Sequence, residues 1–248
     1  MSSVRTAVIL GAGMGTRLEE RGKTKPKGFI ELGERPIVEE SILKLIDVSL
    51  ERIIIVTGHC SGFYEELAAR FPNVETIKNE HYSSSGSMYS LYCARELVNG
   101  DFLLLESDII YERQALQFLL ELPESDAILL SGETQSGDEV YVETRGGRLL
   151  DMSKDRSSLG EEVSGELVGI TKVSVPLFER MLEVAARQFE SSLHVDYETD
   201  CLVAAGRDYD IFCPVIDKLL WAEIDDKSHL VRAENQIYPA IVRRDGPI

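Results

Sequence analysis

Five cations, Arg17, Arg21, Lys23, Lys25 and Lys27, crowd against the glycine-rich run Gly11-Ala12-Gly13-Met14-Gly15-Thr16. Glycines let a backbone approach an anion closely, and the bared N–H groups of such a turn form an anion-binding nest. Side-chain cations beside that nest supply the charge that a polyphosphate needs, both bound and reacting. An apolar stretch, Ala7-Val8-Ile9-Leu10, leads straight into the loop, so the nest sits at the end of a strand.

The spacing separates this pattern from its competitors. A dinucleotide fingerprint has glycine at the sixth position of G-x-G-x-x-G, where this chain has Thr16 followed by Arg17. A P-loop would end at Gly22-Lys23-Thr24, but its opening glycine falls on Arg17. An ordinary βα turn explains the glycines alone but not the neighbouring cations.

Acids follow two further apolar stretches, in Leu103-Leu104-Leu105-Glu106-Ser107-Asp108 and Trp221-Ala222-Glu223-Ile224-Asp225-Asp226. Carboxylates at strand ends on the edge that carries the glycine loop can hold Mg²⁺ against a triphosphate, and Asp108 with Asp225 is a sufficient pair. The alternative for Asp225 or Asp226 is a cap on a helix from Ser228. The polar segment Asn79 to Met88, with Ser85, Gly86 and Ser87, offers hydrogen bonds to a base or ribose, or a helix cap. Asp196-Tyr197-Glu198 with Asp200, and Asp138-Glu139 with Tyr141, combine acids with rings. An ammonium-bearing ligand would use such groups through charge pairing and cation–π contact. His59, His81, His194 and His229 have no metal-ligand spacing, and no nucleophile motif accompanies them.

The elements that must position these groups alternate. Strands are expected at 6–11, Arg52 to Thr57, Val74 to Lys78 and Asp101 to Glu106, with helices at 36–48, 60–70 and Ser87 to Val98. Strands follow at Asp126 to Ser131, Glu139 to Thr144, Arg148 to Met152 and Leu167 to Val173, the second and third joined at Gly146-Gly147. Helices at Val175 to Phe189 and Glu198 to Ala205, two short strands and a helix from Ser228 complete the chain. This order predicts an α/β fold: a Rossmann-like, mostly parallel sheet with helices on both faces and a β-rich insertion over its C-terminal edge.

The 248 residues, 44% of them hydrophobic, suffice for one domain, 1–248, with the inserted β-rich region at about 132–173. The net charge of −17 argues against nucleic acid as a partner, because a phosphate backbone needs a basic stripe. No stretch reaches the length of a membrane span, and the N-terminus lacks a signal-peptide layout. Cys60, Cys93, Cys201 and Cys213 are scattered, as expected of reduced thiols in a cytoplasmic protein.

Gly11 to Arg17, Pro26-Lys27, Glu106-Ser107-Asp108 and Glu223-Ile224-Asp225 together resemble the sugar-phosphate-type nucleotidyltransferases. Lys25-Pro26-Lys27-Gly28-Phe29-Ile30-Glu31, Ser85-Gly86-Ser87-Met88, Gly137-Asp138-Glu139-Val140-Tyr141 and Gly165-Glu166-Leu167-Val168-Gly169-Ile170-Thr171-Lys172 narrow the resemblance. They are similar to the cytidylyltransferases that act on 2-aminoethylphosphonate, and the likeness runs to Asn235-Gln236-Ile237-Tyr238-Pro239. The resemblance implies that CTP and an amine-bearing phosphonate react, with Mg²⁺, to give the CMP-linked phosphonate and pyrophosphate. It implies that Leu10, Gly11, Ala12, Gly13, Met14, Gly15, Thr16, Arg17 and Lys23 hold the nucleotide, with Ser85, Gly86 and Ser87. Lys27 falls on the catalytic Pro-Lys position, with Arg17 beside it, and Asp108 and Asp225 on the metal positions. Lys154 would take the phosphonate, and Tyr197, Glu198 and Asp138 the amine, with Tyr141 and Glu166 in the same substrate region. Lys25 is an additional cation with no assigned role. A homodimer suits such a fold.

Phosphocholine is the rival acceptor, since it also joins a cation to a phosphoryl group. A primary amine wants acceptors where a quaternary one wants an aromatic cage, and Asp196–Asp200 leans to the former. A nucleotide-binding module without chemistry is the alternative of a different class. Competent residues at 27, 108 and 225 weigh against it.

Overall fold

Near-continuous Val, Ile and Leu runs build a sheet buried on both faces, as parallel strands flanked by helices require. The computed structural model describes residues 4–15, 17 and 24–246, so Thr16 and Lys23 lie outside the described residues. Strands β1 (Thr6–Gly11), β2 (Arg52–Thr57), β3 (Val74–Lys78) and β4 (Phe102–Glu106) are mutually parallel, in the order β4-β1-β2-β3. Their alternate residues serve two layers. Ala7, Ile9, Ile53, Ile55, Leu103 and Leu105 pack towards α1 (Ile37–Asp47), α2 (Ser61–Ala68) and α4 (Gln114–Glu121). Val8, Ile54, Val56 and Leu104 pack towards α3 (Ser87–Cys93) and α5 (Val175–Phe189). A π-helical turn, Tyr197–Leu202, adds to the second layer and runs into the short α6 (Val203–Ala205). Helix α5 starts as its sequence dictates. Ser174 accepts the Leu177 amide, Pro176 stands in the first turn, and Leu177, Phe178, Met181 and Ala185 form its buried stripe.

The other strands make the sheet mixed. β6 (Ala127–Ser131) and β4 both pair antiparallel with β9 (Val163–Val173), which lies between them, and β10 (Val215–Ile216) closes the edge parallel to β6. β9 begins before the predicted Leu167 because its polar first part pairs with β7 (Tyr141–Arg145). β7 turns at Gly146 and Gly147, with φ of +60° and +75°, into β8 (Arg148–Ser153). Two positive φ values in a two-residue loop are what glycine pairs supply at no steric cost. The expected insertion is thus a hairpin hung on the same strand that threads the main sheet.

β5 (Ile109–Tyr111) and α4 have no counterpart in the sequence-based expectations: the three residues of β5 show no periodicity, whereas α4 carries its signal in the apolar spacing of Ala115, Leu116 and Leu119. β5 pairs antiparallel with β11 (Trp221–Glu223) in a separate small sheet. Helices α7 (Lys227–Arg232) and α8 (Tyr238–Asp245) cover this sheet through Ile110, Ile224, Leu230 and Ile241. Helix α3 ends at Cys93, short of the predicted Val98, and continues as turns. None of the described helices is long and apolar enough to cross a membrane.

Candidate active site

The carboxyl ends of β1 and β4 lie side by side, Leu10 opposite Glu106, and the Ser107 amide donates to the Leu10 carbonyl at 3.1 Å. A cleft of about 350 Å³ opens there. Its glycine wall is held by one aromatic ring. A Cβ on Gly11 would stand 2.8 Å from the Tyr64 ring, and one on Gly28 would stand 2.9 Å from its hydroxyl. Glycine at both places therefore lets buried Tyr64 bring the anion-binding loop and the Lys27–Phe29 turn together. Gly15 has φ of +61°, a left-handed conformation that exposes loop amides.

Lys27 is the centre of charge. Its Nζ donates to Asp108 Oδ2 at 2.8 Å and to Asp225 Oδ1. Burial pushes the ammonium's pKa down, but the two carboxylates outweigh it and hold the pKa above its ordinary value. The ammonium therefore stays charged across the physiological range. Arg17 reaches the same group, 2.9 Å from Asp225 Oδ2 and 2.7 Å from Asp138 Oδ2. Lys154 donates to the other oxygen of Asp138 at 2.9 Å. Burial alone would raise the Asp138 pKa, but hydrogen bonds from Lys154 and Arg17 hold it well below the usual carboxylate range.

A second layer of acids lies deeper. Carboxylate oxygens of Glu106, Asp108 and Glu223 come within 4.8 Å of one another. Burial, with the charges of Glu106, Asp108 and Asp225, pushes Glu223 up to about 10. Burial, with Glu198 and Asp108, also raises Glu106. So many crowded carboxylates lack positive charge, and an all-oxygen donor set suits a hard divalent cation. Glu198, pushed up to about 7 by burial and by Asp196, accepts a hydrogen bond from the Ser87 hydroxyl at 3.2 Å. That hydroxyl also accepts the Tyr197 amide at 2.9 Å, tying the start of α3 to the Tyr197 turn.

Most of the expected residues meet here. Leu10, Gly11, Ala12, Gly13, Met14, Gly15, Arg17 and Lys27 line the cleft, as do Ser85, Gly86, Ser87, Asp108, Lys154, Glu198 and Asp225. Asp138 lines an annex of about 60 Å³ that shares Glu106, Lys154, Glu198 and Glu223 with the cleft. Three expected substrate residues do not line either space. Tyr197 is fully buried and donates from its hydroxyl to Glu106 at 3.0 Å. Tyr141 stands beside the Arg156 guanidinium. Glu166 spends both oxygens, at 3.0 Å each, on the Thr134 amide. Asp225 is turned to Lys27 and Arg17 and lies outside the clustered acids. Asp226 caps α7, accepting the Ser228 and His229 amides. Lys25 pairs with Glu31 away from the cleft. The sequence reading missed Glu106 and Glu223. The signal is present in the sequence, since each is the first acid of its apolar strand, ahead of Asp108 and Asp225.

The pattern of the MobA-like NTP transferase domain matches residues 7–194. The chain belongs to the MobA-like NTP transferase family. It is 28% identical, over 94% of its length, to the CMP-5'-(3-aminopropyl)phosphonate synthase of Streptomyces rubellomurinus, of which it spans 39%. It is 26% identical, over 76% of its length, to the 2-aminoethylphosphonate cytidylyltransferase of Lancefieldella rimae, covering 74% of that protein. Against the choline-phosphate cytidylyltransferase of Streptococcus pneumoniae the identity is 21%, over 88% of this chain and 92% of the other. The inositol-1-phosphate CTP transferase of T. maritima superposes with a TM-score of 0.79 at 18% identity, covering 100% of this chain and 99% of its own. That likeness establishes the shared fold.

Proposed function

We propose that this nucleotidyltransferase joins CTP to 2-aminoethylphosphonate or a close amine-bearing phosphonate, releasing pyrophosphate. The observation that carries the reading is Lys27, held charged between Asp108 and Asp225 beside the Gly11–Gly15 nest. The phosphonate is already an anion, so in-line attack on the α-phosphorus needs no protein nucleophile. Positioning and charge neutralisation do the work. The Gly11–Gly15 amides and Arg17 would orient the triphosphate, and Lys27 would face the charge growing on the α-phosphoryl oxygens. Lys154 would hold the phosphonate and Glu198 the ammonium, with Asp138 between the two cations.

The clustered oxygens of Glu106, Asp108 and Glu223 fit Mg²⁺, which would supply further neutralisation of the triphosphate. Asp225 would join them only by giving up Lys27 or Arg17. The support for an amine is chemical: the acceptor end carries several carboxylates, and the Tyr197 ring is sealed in the core. The amine-bearing products and substrates named for two relatives agree with this.

The test is pyrophosphate release with CTP and Mg²⁺, comparing 2-aminoethylphosphonate with phosphocholine at equal concentration. Preference for the phosphonate is the expected result. Preference for phosphocholine would keep the reaction and replace the acceptor, and CTP binding without turnover of any acceptor would leave a binding module.

A further inference from the structure

The annex beyond the cleft has a mixed lining. Glu106, Glu198 and Glu223 make part of it acidic, and Thr134, Trp221, His229 and Arg232 line it as well. His229 is spent: its Nδ1 lies 3.4 Å from the Asp225 amide and its Nε2 lies 3.2 Å from the Ser136 carbonyl. Arg232 is not. In a chain of net charge −17, no carboxylate among the described residues lies within ion-pair reach of its guanidinium, whose one hydrogen bond to those residues is a 3.5 Å contact to the Thr134 carbonyl. Two more polar atoms of the annex lining lack a partner among the described residues, the Trp221 indole N–H and the Thr134 hydroxyl, although Trp221 is only 8% exposed. A guanidinium without an anion and a sealed N–H without an acceptor both call for an electron-rich oxygen group.

We infer that the annex recognises an acceptor substrate carrying a carboxylate beside its amine: an α-amino acid whose side chain ends in the phosphonate. The ammonium faces Glu198, as above, and the carboxylate faces Arg232 and the Trp221 N–H. This rests on the phosphonate reading above and narrows it. The annex holds about 60 Å³, room for a small branch on the carbon that bears the amine.

The test is a matched pair of acceptors, 2-aminoethylphosphonate and 2-amino-3-phosphonopropionate, which differ only by that carboxylate. Each is assayed with CTP and Mg²⁺ on wild type and on the variants Arg232→Met, Arg232→Lys and Trp221→Phe. The expected wild-type kcat/KM favours the carboxylated acceptor at least tenfold. That ratio should fall to about one in Arg232→Met and to an intermediate value in Arg232→Lys and Trp221→Phe. Equal use of both acceptors by wild type would overturn the inference while leaving the phosphonate reading intact. So would a loss in Arg232→Met that strikes both acceptors alike, because Arg232 would then hold the phosphonate or the fold. If neither acceptor turns over, the phosphonate reading fails as a reaction, and calorimetry with the carboxylated compound decides this inference. Binding that Arg232→Met weakens tenfold or more supports it, and no binding overturns it.

Discussion

Lys27 shows how one side chain acquires a role from its surroundings. Burial by itself would favour the neutral amine, and two carboxylates reverse that preference. Replacing it with Ala should cut kcat about 100-fold or more, as loss of a transition-state charge partner does, with the circular-dichroism spectrum unchanged. Turnover near wild type would remove Lys27 from the mechanism. Glu198 carries the pH dependence. Its carboxyl titrates at about 7, so it is neutral below that pH and able to pair with an ammonium above it. The KM for the amine acceptor should therefore fall as pH rises through about 7, and Glu198→Gln should flatten that profile and raise KM at pH 8 more for the acceptor than for CTP. At this scale the sequence is legible where chemistry is local: the glycines, Lys27 and Asp108 line one cleft at the strand ends. It failed where a role depends on a distant partner. Glu166 looks like any pocket acid until the Thr134 amide, 32 positions away, is seen to occupy it.

The elements follow their local signals closely where a run is long and apolar, as in β2 and α5. They depart where polar residues pair across strands, as in the early part of β9, or where an element is too short to have a period, as in β5. That second departure hid the approach of Glu223 to Glu106, because the β5–β11 pairing is what delivers it. Two segments can be tested as units. Asp226→Ala removes the cap of α7 and should cost ~0.5–2 kcal/mol, read by urea denaturation. It should also raise the KM for CTP, since Asp225 precedes the cap directly. Gly86→Ala has a different consequence. A Cβ there would collide with the Val195 carbonyl, against which the start of α3 lies, with Met88 N–H donating to the same carbonyl at 3.0 Å. The variant should force that junction apart, lower the melting temperature and raise KM for both substrates, because Ser87 would lose its hold on Glu198. Unchanged KM values would show the junction to be yielding.

For the molecule as a whole, the buried acids cost stability in the absence of a cation. Glu198 and Glu223 titrate above the ordinary 4.5, at about 7 and about 10. The folded state then holds protons that the unfolded state has lost, and stability from these groups, full below about 4.5, drains away as pH rises through their folded values. A divalent cation should offset this, so MgCl₂ should raise the melting temperature more at pH 8 than at pH 5.5. An equal rise at both would detach the effect from these carboxylates. Lys44 acts in the opposite sense and outside that range. Burial beneath the Tyr111 ring lowers its pKa to about 8, so stability from it is gained as pH rises from 8 towards 10.5.

Lys27 touches Asp108 and Asp225, 81 and 198 positions further along the chain. A nascent or clipped polypeptide that ends before Asp225 still has its glycine loop and its lysine, but only half of the counter-charge that fixes the ammonium. Nucleotide affinity is then a sensor of chain closure: it should appear late in refolding, together with the docking of α7 and α8, and so report the native fraction of a preparation more faithfully than helix content does.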